Sequence, residues 1–155
     1  MDATAPPGAV GLSGARHEFE EHTSELQIRL EAPSLPELFV EAGRALAEVM
    51  SARNGTAAST DGQNPLGPFQ SVHVRAQDRN ALLVEWLNEL IFRAETERRI
   101  FTDFRIDRLT DTELTAAIRG PEVELSQTPV KAATMHGVAI RENDGRFFAT
   151  VVLDV

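Results

Sequence analysis

A chain of 155 residues, 42% hydrophobic and 25% charged, has the size and balance of one globular domain, which excludes a disordered chain and a fibrous repeat. No cysteine is present, so disulfides, thiolate zinc sites, iron–sulfur clusters and cysteine nucleophiles are excluded together. A formal charge of −9 with no basic block to offset it repels a phosphate backbone, so direct nucleic-acid binding is not expected.

Residues 1–16 are rich in Ala, Pro and Gly without an apolar period and read as a flexible tail. Their lack of a basic start and a long apolar stretch is unlike a secretory signal. No uninterrupted apolar run approaches the roughly 18 residues of a membrane span. A cytoplasmic protein with no membrane contact is expected.

From residue 17 to 155 the texture is that of a single folded domain. Glu25-Leu26-Gln27-Ile28-Arg29-Leu30 alternates polar and apolar residues, the pattern of a strand wet on one face. Ser34 then offers a helix cap, Pro36 is tolerated in the first turn, and Glu37 stands at the far end of a capping box. Leu35, Leu38, Phe39, Ala42, Leu46 and Val49 follow at three- and four-residue steps, so an amphipathic helix runs to about Met50. Residues 51–69 hold three Gly and two Pro and read as a long loop. A strand at about 70–76 places Val72 and Val74 on one face. Leu82, Leu83, Trp86, Leu87, Leu90 and Ile91 make the stretch from Ala81 to about Glu97 the most apolar helix, with Trp86 in the core. Alternation returns at 102–108, 112–119 and 131–140. The last strand, Arg146–Val155, is joined to its predecessor by Asn143-Asp144-Gly145, a turn suited to positive φ. The expected fold is α+β, two amphipathic helices packed on a mostly antiparallel β-sheet.

No familiar catalytic apparatus assembles from these residues. His17-Glu18 is followed by His22 at a spacing of five, whereas two imidazoles on one helical face need four. Gly8, Gly11 and Gly14 do not have the spacing of a dinucleotide or phosphate loop, and no Gly-x-Ser-x-Gly elbow occurs. What remains is carboxylate chemistry. Glu18, Glu20, Glu21 and Glu25 crowd the start of the domain. Phe147, Ala149, Val151 and Leu153 share one face of the last strand, which sets Asp154 on the other. A hard cation taking oxygens from Asp154, the Val155 terminus and one of the glutamates would hold that end of the strand. The alternative is that Asp154 and the glutamates form a solvated face.

Several segments in register resemble the archease family. Phe19-Glu20-Glu21-His22-Thr23-Ser24-Glu25 stands where that family opens with a phenylalanine ahead of His-Thr-Ala-Asp and an alternating strand. Leu82-Leu83-Val84-Glu85-Trp86-Leu87-Asn88-Glu89-Leu90 matches Leu-Leu-Val-x-Trp-Leu-Asn-Glu-Leu. Val130-Lys131-Ala132-Ala133-Thr134-Met135-His136-Gly137 matches Val-Lys-Ala-x-Thr-Tyr-His-Gly, and Asp154-Val155 the usual ending. Two departures from the pattern matter: Glu25 replaces an aspartate, one methylene longer, and Met135 replaces the tyrosine and its hydroxyl.

The resemblance implies a non-catalytic activator of an RtcB-type RNA ligase in tRNA splicing, promoting guanylylation of the ligase and its repeated turnover. It also implies a divalent cation, calcium first and manganese or magnesium next, held by Glu25, Asp154 and Val155. Lys131, His136 and His22 become functional candidates; Lys131, the only lysine, sits at a polar position, while His22 and His136 could equally serve structure. Asn88, outside the apolar stripe, reads as a surface amide. Two other functions compete: a metal-dependent hydrolase built on Glu25 and Asp154 around an activated water, and a general chaperone-like binder exposing an apolar patch.

Overall fold

In the structure, a computed structural model, residues 14–55, 65–124 and 129–155 are described. Residues 1–13 of the expected tail and residues 56–64 of the expected 51–69 loop lie outside them. Arg16–His22 forms β1 and Glu25–Ala32 forms β2, whose Leu26, Ile28 and Leu30 are buried as the alternation requires. Helix α1 spans Leu35–Arg53, three residues beyond the expected end. Ser34 Oγ accepts from the Glu37 N–H at 3.2 Å, satisfying one open donor of the first turn. Strand β3, Gln70–Arg75, precedes α2, Arg79–Glu97, which is capped by Asp78 and ends on Arg98 in the left-handed region (φ 55). Strands β4 (Asp103–Leu109), β5 (Glu113–Arg119), β6 (Ala132–Asn143) and β7 (Arg146–Asp154) complete the order.

The strands form two sheets rather than one. Order β1-β2-β7-β6 makes a four-stranded sheet and β3-β5-β4 a three-stranded one, with every pair antiparallel. Each helix touches both: α1 reaches β2 and β4, and α2 reaches β6 and β3. Trp86 lies at the centre of this shared core, fully buried, its indole N–H donating to the Phe39 carbonyl at 2.9 Å. Its ring meets Phe104 edge-on at 6.0 Å. The hairpin β6–β7 turns through Asp144 (φ 52) and Gly145 (φ 78), the two positive angles that the sequence there suits.

Strand β1 has no counterpart in the alternation pattern, which places the first strand at Glu25. It is an edge strand whose inward residues are His17 and Phe19, so charge masks its period.

Candidate cation site and the bulged edge strand

Thr23 and Ser24, the latter at φ 60, turn β1 into β2, and the pair His22–Glu25 closes that hairpin. Glu25 in turn stands directly opposite Asp154 of β7, and Asp154 opposite Ala132 of β6. Residues opposite one another in an antiparallel ladder share a face. Leu26 and Leu153, next along each strand, are buried on the helix side, so the Glu25 and Asp154 carboxylates occupy the other side at the sheet's end. Two backbone bonds fix this end: the Val155 N–H donates to the Ser24 carbonyl at 3.1 Å, and the Lys131 N–H to the Asp154 carbonyl at 2.9 Å.

Glu25 and Asp154 are half-buried, and neither side chain has a hydrogen bond or ion pair with the described residues. Their neighbours differ. Glu31 on the same strand is met by both Arg16 and Arg146, and Arg29 beside Glu20 holds that carboxyl below its ordinary range. Two carboxylates set opposite one another, neither partnered among the described residues, offer the oxygen ligands that a hard cation takes. Among the described residues no three His, Cys, Asp or Glu side chains are grouped to hold a metal ion. A cation at Glu25 and Asp154 would complete its oxygen shell from the Val155 carboxylate, backbone carbonyls or water.

The other candidates separate. His22 is opposite Glu25 in register, but its exposed ring pairs with Glu20 at 3.2 Å. Lys131 is exposed and adjoins the carboxylate end through its backbone. His136 lies elsewhere, because β6, which forms where a strand was expected at 131–140, carries a bulge. Thr134 pairs with Val152 and Ala139 with Thr150, so residues 135–138 oppose Val151 alone and bulge from the edge of the sheet. Gly137 takes φ 72 there, Met135 is 51% exposed, and His136 is exposed beside it.

Asn88 is not a surface amide. Its Nδ2 donates to the Ala133 carbonyl at 3.1 Å and its Oδ1 accepts from the Ala133 N–H at 2.8 Å. Asn80, two turns earlier on α2, accepts from the Ile140 N–H at 2.9 Å on the far side of the bulge. The signal available in the sequence was a polar residue beside the apolar stripe of α2, but its partner on β6 follows only from the packing.

The profile of the Archease protein family (MTH1598/TM1083) matches residues 17–155. Protein archease of Methanopyrus kandleri is 31% identical over 144 residues, spanning 87% of this chain and 96% of that protein. Protein archease of Methanothermobacter thermautotrophicus is likewise 31% identical, spanning 89% and 97%. The solution structure of Methanobacterium thermoautotrophicum protein 1598 superposes with a TM-score of 0.66 at 28% identity, covering 90% of this chain and 98% of that one. The crystal structure of an archease from Thermotoga maritima, described as a possible chaperone, shares the fold at 17% identity and a TM-score of 0.57, covering 88% and 94%.

Proposed function

Since the chain belongs to the archease family, we propose that it is a non-catalytic partner of an RtcB-type RNA ligase that promotes guanylylation of that ligase and its multiple turnover in tRNA splicing. The observation that carries the proposal is the family match over residues 17–155, which spans every strand and helix except the first residue of β1. The proposed cation ligands are Glu25, Asp154 and the Val155 carboxylate, with calcium preferred and manganese or magnesium acceptable to the same oxygen donors. When bound, the cation supplies the positive charge that lets three carboxylates share one end of the sheet. The chain's own contribution is to hold Glu25 and Asp154 in register and to present Lys131 and His22 from the adjoining β6 and β1–β2 segments, with His136 further along β6 on its bulge.

The test is covalent guanylylation of the cognate ligase, followed over time with GTP and manganese, with and without this protein. Stimulation of the rate, or of the number of ligation turnovers, is expected, and this protein alone should neither join nor cleave RNA. A confirmed cognate ligase that responds in neither respect overturns the proposal.

A further inference from the structure

The edge of a sheet leaves a row of backbone N–H and C=O groups without a strand to pair with. Strand β6 is such an edge, and α2 runs along it. At Ala133 the Asn88 carboxamide takes both orphan groups, accepting at 2.8 Å and donating at 3.1 Å. One side chain thus replaces one residue of a missing strand. What lies opposite matters: Ala133 pairs with Leu153, Ala132 with Asp154, and the Lys131 N–H donates to the Asp154 carbonyl at 2.9 Å. Residues 131–133 are therefore pinned by Asn88 on one side and hold the Asp154 backbone on the other. Beyond Thr134 the ladder stops for the bulge at 135–138, so the position of this short stretch does not follow from the rest of β6.

We propose that Asn88 is a positioning residue for the cation site, setting the place of the Asp154 carboxylate through Ala133 and the Lys131 N–H. The inference rests on the reading that Glu25 and Asp154 hold a divalent cation. Asn88 touches neither carboxylate; it acts as an outer support does at metal sites, where loss of such a support lowers affinity by about 10- to 100-fold.

Calcium titration by calorimetry, paired with amide hydrogen exchange at Lys131, distinguishes this role from general stabilisation. Asn88→Ala should bind calcium about 10- to 100-fold more weakly than the unaltered protein and exchange the Lys131 amide faster. Asn80→Ala, which loses the Ile140 bond beyond the bulge, should leave both unchanged even where it lowers the melting temperature. Asn88→Gln, with the same amide one methylene further out, carries the same expectation should Asn88→Ala fail to fold. Unaltered protein that binds neither calcium nor manganese overturns the cation site and this role with it. Unaltered protein that binds, beside a folded Asn88 variant of equal affinity, overturns the role of Asn88 alone.

Discussion

His17 Nδ1 lies 2.6 Å from Glu41 Oε2, and this contact joins edge strand β1 to helix α1. The other ring nitrogen meets Glu48 Oε2, also at 2.6 Å. Only an imidazolium donates from both nitrogens, so the arrangement requires a charged ring between two carboxylates. Burial pulls the His17 pKa down, but the hydrogen bonds and charges of Glu41 and Glu48 outweigh it and raise it above 6.5. Burial pushes Glu41 up, and His17, aided by Arg44, more than reverses this to hold it below 4.5.

The sign of the pH dependence follows. The His17 contribution is complete below pH 6.5 and is lost as pH rises through the raised value in the folded protein. The Glu41 contribution is complete above pH 4.5 and is lost as pH falls through its lowered value. The tie should therefore be strongest between those two pH values. His17→Gln should cost about 1–3 kcal/mol in that window and less on either side, measured as the difference in unfolding free energy from the unaltered protein. A difference that stays flat from acid to alkaline pH would show that the contact is not ionic.

Gly120 presents a steric prediction. Its N–H donates to the Leu66 carbonyl at 3.2 Å, its carbonyl accepts from Arg99 at 2.6 Å, and a Cβ built on it overlaps the Ile100 carbonyl oxygen. Backbone on backbone cannot yield as a flexible side chain can. Gly120→Ala should lower the urea midpoint by more than an exposed control such as Gly145→Ala lowers it, even though Gly145 carries the strain of φ 78. The reverse order would mean that the 99–101 segment shifts at little cost.

Much of the architecture was legible because period and punctuation are local. Leu82, Leu83, Trp86, Leu87, Leu90 and Ile91 make α2 visible before any contact is known, and all are buried. Asp144-Gly145 announces its turn. The division into two sheets was not legible, since alternation shows that a segment is a strand and not which strand it joins. Nor was the bulge: Ala132 to Ile140 keeps a strand-like composition while Met135 to Val138 leave the ladder. The pairing of Glu25 with Asp154 is a matter of register across 129 positions of chain, which neither strand encodes alone. The role of Asn88 is hidden for the same reason, because its partner Ala133 contributes only backbone groups, which carry no residue-type signal.

The carboxylate pair leads to the next expectation. Asp154→Ala should remove calcium binding, and calcium should raise the melting temperature of the unaltered protein, since ligand bound only to the folded state stabilises it by about 2.7 kcal/mol at a hundred times Kd. Glu25→Asp should retain binding or tighten it, because it shortens a ligand by one methylene without moving the strand. Lys131→Ala should weaken stimulation of the ligase while leaving calcium affinity close to that of the unaltered protein. Equal calcium affinity in Asp154→Ala, read by calorimetry, would remove that carboxylate from the site.

The last expectation concerns the end of β7. In the proposed site the third negative oxygen donor is the carboxylate of Val155, one residue past Asp154. The Val155 N–H is bonded to the Ser24 carbonyl at 3.1 Å, so the backbone carries that carboxylate to the turn beside Glu25. Adding a short Gly-Ser tail after Val155 leaves this bond and the whole β2–β7 register possible, but it converts the carboxylate to a neutral amide and moves the charge away. The tailed protein should therefore keep its melting temperature without calcium and lose most of the increase that calcium produces. Asp154→Asn offers the comparison, because it neutralises a ligand without lengthening the chain. If both changes abolish the calcium-dependent rise, Asp154 and the Val155 carboxylate act together at one cation. If the tailed protein binds calcium and stimulates the ligase as the unaltered chain does, Val155 is not a ligand, and the site would have to draw on Glu25 and Asp154 with backbone oxygens or water instead.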